Sequence, residues 1–373
     1  MALLIGGSAA AMDFTPVGRM ADEAVEQGKV AGGTVLLLRG GDVVYERSFG
    51  FADIESKTPF GVDSPVIIAS ISKPLLGTAA FRLAEQGRLN PEAPITAYLP
   101  AFADRKLESG EPLIRPPTTI ECFAHTGGLR PAAAPGGLPW FSRWTQDVPL
   151  AVVVSRYAED FPFKTQPGTK YAYSGIGTDV AARVLEVAAG QPRNELLRTV
   201  VAEPLGMKHT FYRDAESLQR LGAMPTRYRY GKNDRIIEDR KRFVPAKNMY
   251  SSSGGAIIST AQDLARWLLM IQNHGRHEGA TLLKRETVVA MLAAHPPSSK
   301  ARGGFSIRKK NERGEATVVG HSGSSGTNCW IDFDRDLIGV MLTQTRGRDI
   351  KPFRIRLEKK IYTCLEDADR TSR

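Results

Sequence analysis

The chain has few cysteines, with Cys122, Cys329 and Cys364 as the only three among 373 residues. Three thiols form at most one bridge, which excludes the disulfide framework of a small secreted domain. None of them lies in a C-x-x-C pair or beside a histidine at metal-ligand spacing, so we expect no structural zinc site. All three are expected to be buried and to pack as small apolar side chains.

Long apolar runs are also missing. No stretch approaches the roughly 20 residues that span a bilayer, so we expect no integral membrane segment. The N-terminus, MALLIGGSAAAMDF, has only a short apolar run, and the first basic residue is Arg19, whereas a secretory signal has a basic start. A trimmed leader and an ordinary arm both fit, so cytoplasmic and periplasmic or secreted locations stay open.

Acidic residues are too few to balance the basic ones, and the net charge is +10. The excess lies in segments 227–247, 300–313 and 346–360, and such segments can attract nucleic acid or acidic partners. Acidic residues are interspersed among them, and no RNA-binding or helix-turn-helix signature accompanies them. We therefore expect solvated surface in all three segments and no nucleic-acid partner.

The chain is long enough for one large domain or two. Apolar periodicity predicts an early helix at 20–27, a hairpin of strands 34–39 and 43–49 turning at Gly40, and a helix at 181–189. The C-terminal part predicts three successive strands and a closing helix, at 316–323, 329–336, 337–345 and 351–364. Because strands cluster at both ends, we predict an α+β fold. In it, both termini build one antiparallel sheet, helices flank this sheet, and a mainly helical region is inserted.

Ser70 lies at the expected start of a buried helix. Apolar residues recur at spacings of three and four from Leu75 to Ala84, and Gly87 is a plausible stop. Pro74 is compatible with the first turn, where the amides lack helical partners. We expect the helix to start at Ser70 or Ile71, which places the serine at its electropositive end.

A serine needs a base within hydrogen-bond reach to become a nucleophile. On a helix, Lys73 lies on the same face as Ser70, and burial can lower a lysine pKa until its neutral amine is available. The same S-x-x-K pattern recurs at Ser306 to Lys309, in a polar, basic stretch ahead of a strand. No helix is expected to align that second pair, so we select Ser70 and Lys73.

Two later motifs complete the candidate site. Tyr173-Ser174-Gly175 offers a phenol whose pKa a nearby lysine ammonium would lower, allowing it to relay protons. In GHSGS at 320–324, small residues let a substrate backbone approach, and the amide after Gly323 would point at a carbonyl oxygen over Ser70. His125-Thr126-Gly127 matches the same short pattern in an expected loop. We therefore take His321 as the site residue and His125 as structural.

The ordered motifs Ser70-x-x-Lys73, Tyr173-Ser174 and His321-Ser322-Gly323 resemble those of the penicillin-binding-protein and class C β-lactamase superfamily. AHTGGL at 124–129, PLGM at 204–207 and NMYSSSGGAIISTAQDLARW at 248–267 resemble it too, so the similarity covers about residues 15 to 365. The resemblance implies a sheet domain of residues 15–72 and 250–365, a mainly helical domain of residues 73–249, and an active-site cleft between them.

The resemblance also implies a reaction. Ser70 would be acylated, and Lys73 and Tyr173 would handle protons. The amides of Ser70 and Ser324 would form the oxyanion hole, with Ser322 and Gly323 binding substrate. One such donor stabilises the transition state by about 3–4 kcal/mol in other hydrolases. Water would release the acyl group, and no metal or organic cofactor would be needed.

Two positions depart from the family pattern. Gly175 stands where the second motif usually has asparagine, and it cannot contact the lysine or the amide carbonyl of a peptide or β-lactam. His321 replaces a lysine and is largely neutral near pH 7, so it attracts a carboxylate less strongly. We therefore expect esterase-like hydrolysis of carboxylic esters or related acyl compounds. D-amino-acid peptidase or carboxypeptidase activity and β-lactamase activity are alternatives.

A non-turnover penicillin-binding or sensor protein stays open and predicts stoichiometric labelling without product. An α/β-hydrolase needs G-x-S-x-G, which the sequence lacks. The loops between Leu129 and Lys170 are expected to shape the pocket, with three candidate apolar walls, Trp140, Phe141 and Trp144. The acyl substrate, the choice between hydrolysis and acyl transfer, and the oligomeric state stay open.

Overall fold

A computed structural model describes residues 12–131, 148–213, 224–239 and 252–371. Its helices are α1 (Thr15–Glu26), α2 (Ser72–Glu85), α3 (Thr119–Ala124), α4 (Leu150–Asp160), α5 (Gly175–Ala189), α6 (Arg193–Leu197), α7 (Ala261–Gln272), α8 (Arg285–Leu292) and α9 (Gly347–Thr371). Its strands are β1 (Gly32–Arg39), β2 (Asp42–Asp53), β3 (Thr58–Pro59), β4 (Val66–Ile67), β5 (Phe211–Tyr212), β6 (Tyr228–Tyr230), β7 (Ile236–Glu238), β8 (Ile257–Ser259), β9 (Arg276–His277), β10 (Ala280–Thr281), β11 (Ser306–Lys310), β12 (Ala316–Ser322), β13 (Asn328–Asp332) and β14 (Leu337–Thr343).

The main sheet joins the two ends of the chain. Its seven strands lie in the order β11-β12-β13-β14-β1-β2-β3, and all the pairs are antiparallel. The junction is the β1–β14 pair, which runs from Gly33 opposite Thr343 to Arg39 opposite Leu337. This confirms the predicted antiparallel sheet built from both termini with a helical insertion.

Strand β1 is buried on both faces, which explains its nearly unbroken apolar sequence. Because side chains alternate along a strand, Val35 and Leu37 pack with α1 and α9 on one face. Leu36 and Leu38 belong to the larger core on the other face, with α2, α5 and α7. The sheet is therefore flanked by helices, and α2, which follows Ser70, lies inside the larger core.

Several element boundaries differ from the sequence prediction. Helix α1 begins at Thr15, because Pro16 fits the first turn of a helix. Helix α5 begins at Gly175 rather than 181, because the Ser174 hydroxyl accepts a hydrogen bond from the Gly177 amide and caps the helix. Helix α9 extends beyond the expected 351–364 at both ends. The turn at Gly40 forms as predicted, with positive φ at Gly40 and Gly41.

A three-stranded sheet, β4-β8-β5, supports the segment that leads to Ser70. Val66 pairs with Ser259, and the Ile68 amide donates to the Ile257 carbonyl at 2.9 Å. The proposed division at 72/73 and 249/250 stays a prediction, because residues 249 and 250 lie outside the described chain.

The three cysteines are buried, as predicted, and they form no disulfide. Within the described ranges, no helix is both long and apolar enough to cross a membrane.

Candidate active site

Ser70 lies in a short 3₁₀ turn, Ala69–Ile71, directly before α2, which begins at Ser72 rather than at Ser70 or Ile71. The preceding residue, Ala69, has a φ of 48°, in the left-handed region that a residue with a Cβ rarely adopts. The β12–β13 turn fixes this conformation, because the Ser325 and Thr327 hydroxyls donate to the carbonyls of Ile67 and Ile68, respectively. The serine is therefore held at a strained junction between sheet and helix.

Lys73 presents its amine to the serine. The Lys73 Nζ lies 3.3 Å from the Ser70 Oγ and donates to the Gly254 carbonyl at 2.7 Å. Ser70 lies in the 3₁₀ turn and Lys73 in the first turn of α2, and residues three apart across this junction share one face, which aligns the two side chains. Lys73 is only 4% exposed, and burial lowers its pKa to about 8, although the Asp179 carboxylate acts in the opposite direction. A substantial fraction of this amine is neutral in mildly alkaline solution.

The turn that holds Lys73 depends on a buried acid. Asp179 accepts hydrogen bonds from the Ser253 amide at 2.7 Å and from the Tyr157 hydroxyl at 3.1 Å. A Cβ at the neighbouring Gly254 would lie 2.9 Å from the Lys73 Nζ, so a larger residue there would displace the amine. Asp179 was not predicted from the sequence, where the available signal of a functional acid was its position among the buried small residues of α5.

Tyr173 contacts the same oxygen as Lys73. Its hydroxyl donates to the Ser70 Oγ at 2.9 Å, and its ring centre is 5.0 Å from the Lys73 Nζ. The pKa of Tyr173 was predicted to be lowered, and this prediction is wrong. Burial raises the pKa of the Tyr173 phenol, and the hydrogen bond with Ser70 opposes that effect only in part. In the free protein Tyr173 is therefore a protonated donor near neutral pH.

His125 supports the Tyr173 loop. It ends α3 in the left-handed conformation, and its Nδ1 accepts a hydrogen bond from the Ser174 amide at 3.2 Å. The imidazole ring packs 4.2 Å from the Tyr173 ring, centre to centre. Burial lowers the pKa of His125 well below its usual value, so it is neutral. This places His125 behind the tyrosine, in contact with its ring.

The third motif lies at the end of β12, beside the segment that precedes Ser70. A Cβ at Gly323 would lie 2.5 Å from the Ile68 carbonyl oxygen, so these backbones are in close contact. The Ser322 hydroxyl donates to the Asn328 Oδ1 at 2.9 Å, and Ser324 is exposed in the following turn. The structure thus brings Gly323 close to Ile68 and Ala69, which precede the nucleophile, and the oxyanion role of the Ser324 amide stays a prediction.

His321 is buried and lies against a second lysine. Its Nδ1 hydrogen-bonds to the Ser322 carbonyl at 3.0 Å, and its Nε2 lies 3.1 Å from the Lys300 Nζ. Burial lowers the pKa of His321 well below its usual value, with the Lys300 ammonium acting in the same direction. Nδ1 therefore carries the hydrogen, and the neutral Nε2 accepts from Lys300.

Lys300 was not selected from the sequence, which predicted solvated surface for segment 300–313. That prediction was wrong for Lys300, which is 7% exposed, and burial lowers its pKa to about 8, with the Lys73 ammonium adding to the effect. The segment is drawn inward because Ala301 and Phe305 are fully buried and Gly303 packs directly against Gly77 of α2. Ala301 and Phe305, which flank Gly303 and Gly304, were the sequence signal of burial that the prediction missed.

A serine that receives hydrogen bonds from a buried lysine and a tyrosine, beside a histidine motif, is the arrangement that the sequence resemblance implied. A family model described as Beta-lactamase matches residues 17–361. The chain belongs to the β-lactamase family. At the level of the family, this β-lactamase-family protein is a serine hydrolase.

Two curated relatives cover about two thirds of this β-lactamase-family chain. Esterase EstB of Burkholderia gladioli is 30% identical over 272 residues, which are 67% of this chain and 68% of EstB. The D-alanyl-D-alanine-carboxypeptidase/endopeptidase AmpH of Escherichia coli K12 is 28% identical over 256 residues, which are 68% of this chain and 60% of AmpH.

Solved structures share the fold. EstCE1, described as a hydrolase with promiscuous acyltransferase activity, aligns with a TM-score of 0.77 at 23% identity, covering 93% of this chain and 98% of EstCE1. This likeness supports the architecture of the β-lactamase-family protein. Of the expected pocket walls, Trp140, Phe141 and Trp144 lie outside the described residues.

Proposed function

We propose that this protein is an esterase-like acyl hydrolase in which Ser70 forms the acyl-enzyme. The observation that carries the proposal is the convergence of Lys73 and Tyr173 on the Ser70 Oγ, at 3.3 and 2.9 Å. A base and an acid on one nucleophilic oxygen can serve both halves of an acyl transfer.

In the acylation step, the neutral amine of Lys73 takes the Ser70 proton as the Oγ bonds to the ester carbonyl carbon. The amides of Ser70 and Ser324 receive the developing oxyanion. Tyr173, kept protonated by its raised pKa, gives its proton to the departing alkoxide as the ester C–O bond breaks. The Lys73 ammonium then returns a proton to the phenolate, which leaves both groups as they began.

In the deacylation step, water attacks the acyl carbon and gives a proton to the neutral amine of Lys73. Tyr173 gives its proton to the departing Ser70 Oγ, and the Lys73 ammonium returns a proton to the phenolate, so one ester and one water yield one acid and one alcohol. His321 acts as a positioning residue, because its neutral Nε2 orients the Lys300 ammonium next to the site.

The preference for esters has two supports. Gly175 has no side-chain amide to receive the carbonyl of a peptide or β-lactam, and EstB, the esterase relative, is 30% identical. D-amino-acid peptidase activity is the second candidate, supported by the similarity to AmpH and by the buried lysine Lys300 beside the site. Acyl transfer to an alcohol would use the same acyl-enzyme.

The test is turnover of p-nitrophenyl acetate and butyrate by the wild type, by Ser70→Ala and by a surface control, Ser56→Ala. Nitrocefin and a D-alanyl-D-alanine peptide are assayed alongside. We expect Ser70→Ala to lose at least about 10³-fold in kcat, the control to match the wild type, and intact mass to show an acyl adduct on Ser70. Adduct formation without turnover would instead identify a penicillin-binding or sensor protein.

A further inference from the structure

We propose that Lys300 is a specificity-determining residue that binds a carboxylate of the substrate, so that the enzyme prefers acyl compounds with a carboxylate near the scissile bond. The inference rests on the proposed site at Ser70 and specifies its substrate class.

The first observation is the location of the Lys300 ammonium. The Lys300 Nζ lies 5.8 Å from the centre of the Tyr173 ring, and the Tyr173 hydroxyl donates to the Ser70 Oγ. Lys300 thus lies beside the tyrosine that touches the nucleophile, next to the third motif. A substrate group that contacts Lys300 would lie close to the carbonyl that Ser70 attacks.

The second observation is the lack of a counterion. Among the described residues, no carboxylate oxygen lies within 4.0 Å of the Lys300 Nζ. Its acceptors are the neutral Ser306 hydroxyl at 2.6 Å and the neutral His321 Nε2 at 3.1 Å. An ammonium has three N–H donors, so one is left without an acceptor in the described part of the chain.

The surrounding charges increase this imbalance. The charged groups that act on Lys300 most strongly are Arg308 and the protonated form of Lys73, and neither is an acid. An unpaired buried cation destabilises a fold, so groups of this kind concentrate where a ligand supplies the missing charge. A carboxylate would accept the remaining N–H in a charge-assisted hydrogen bond, shielded from water.

This revises the expectation drawn from His321. A histidine in place of lysine indicated weak attraction for carboxylates, but Lys300, which lies 21 residues earlier in the chain, brings an ammonium to within 3.1 Å of that histidine. The cation comes from the segment ahead of β11, outside the third motif, and is supported there by the contact of Gly303 with Gly77 of α2.

The kinetic test uses substrates that differ only in charge. Hydrolysis of 3-(butyryloxy)benzoate is compared with that of 3-(butyryloxy)benzamide, which places the carboxylate in the leaving group. The adipate mono-4-nitrophenyl ester and its terminal amide place it in the acyl group. For each pair, the ratio of kcat/KM values is measured in the wild type, Lys300→Met, Lys300→Arg and a control, Lys309→Met, on β11.

We expect the wild type and the control to favour the carboxylate about 10-fold to 100-fold in at least one pair, as suits a charge-assisted hydrogen bond. Lys300→Met should bring that ratio to about one, and Lys300→Arg should restore part of it. The pair that responds shows on which side of the scissile bond the carboxylate binds. A wild type without preference in both pairs, or a preference that persists in Lys300→Met, overturns the proposal.

A binding measurement separates this inference from the proposed hydrolysis. Calorimetry compares 3-carboxyphenylboronic acid with 3-carbamoylphenylboronic acid on the wild type and Lys300→Met. Preference for the carboxylate in the wild type alone supports Lys300 even if no ester is hydrolysed, in which case only the proposed hydrolysis fails. Equal affinities in the wild type overturn the carboxylate site and leave the Ser70 nucleophile intact, whereas no binding of either compound overturns the Ser70 nucleophile and, with it, the carboxylate site that rests on it.

Discussion

The chain contains the pattern S-x-x-K twice, and the two copies lie in opposite environments, one buried at a helix junction and one exposed on a strand. Ser70 and Lys73 lie where a 3₁₀ turn enters α2, with Lys73 buried and its amine 3.3 Å from the serine. Ser306 and Lys309 lie on strand β11. There the Lys309 side chain is 57% exposed and pairs with Asp334 at 2.8 Å, while Ser306 accepts a hydrogen bond from Lys300.

The difference shows what the pattern requires. Three residues correspond to about one helical turn, so the helical copy has both side chains on one face. Burial then removes water from the Lys73 amine and lowers its pKa, whereas an exposed ion pair keeps its lysine hydrated and charged. The S-x-x-K pattern therefore supports nucleophilic chemistry only where it lies at a helix junction and its lysine is buried.

The largest effect is expected when the lysine of each copy is replaced in turn, which tests whether the buried copy alone supports catalysis. Lys73→Met should reduce kcat for p-nitrophenyl butyrate by at least about 10³-fold, because Ser70 loses its base. Lys309→Met should stay within about twofold, because surface ion pairs contribute little. Single-turnover kinetics on both variants, with circular dichroism as a check of folding, measure this. Comparable losses in the two variants would show that burial does not distinguish the copies.

Much of this comparison was accessible from the sequence. Apolar periodicity after Leu75 predicted a buried helix behind Ser70, and strand patterns at both termini predicted the antiparallel sheet. These signals are local, because the spacing of apolar residues within a short segment indicates which face of a helix or strand is buried. The predicted start of α2 was early by a residue or two, because the 3₁₀ turn at Ala69–Ile71 depends on contacts with the β12–β13 turn.

The groups that surround the site were harder to predict. Asp179 acts on Lys73 through the turn at residues 252–256, more than 70 residues further along the chain, and nothing local marks that contact. Lys300 lies in a stretch that reads as basic surface, and only the packing of Ala301 and Phe305 draws it inward. The direction of the Tyr173 pKa also depended on burial, which no spacing in the sequence reports.

A smaller effect is expected from the acids next to the two lysines. Asp179 raises the pKa of Lys73 and accepts the Ser253 amide, so Asp179→Asn removes charge and retains an acceptor. The Lys73 pKa should then fall below about 8. The alkaline rise of kcat/KM should move to lower pH by about 0.5–1 unit, and the plateau should drop about tenfold as the turn loosens.

The matched control for this experiment is Asp334→Asn, which removes the acid partner of Lys309. Its pH profile for p-nitrophenyl butyrate between pH 5.5 and 10 should overlay that of the wild type. A profile for Asp179→Asn that loses amplitude without moving along the pH axis would restrict Asp179 to a structural role in the turn.

The smallest effect concerns stability, and it compares a buried lysine with an exposed one. The pKa of Lys300 is about 8 in the folded protein, whereas an exposed lysine in the unfolded chain has a pKa of 10.5. Between those two values the folded state therefore binds fewer protons than the unfolded state. The free energy of unfolding therefore rises with pH across that window, and below pH 8 the protein bears the full destabilisation by the buried charge.

Lys300→Met should be more stable than the wild type at pH 7 by about 1 kcal/mol, and this gain shrinks towards pH 10. Urea unfolding at pH 7, 8.5 and 10 measures the difference, and Lys309→Met should show none. A Lys300→Met variant that is less stable at pH 7, with a difference independent of pH, would mean that hydrogen bonds to Ser306 and His321 outweigh the burial of the charge.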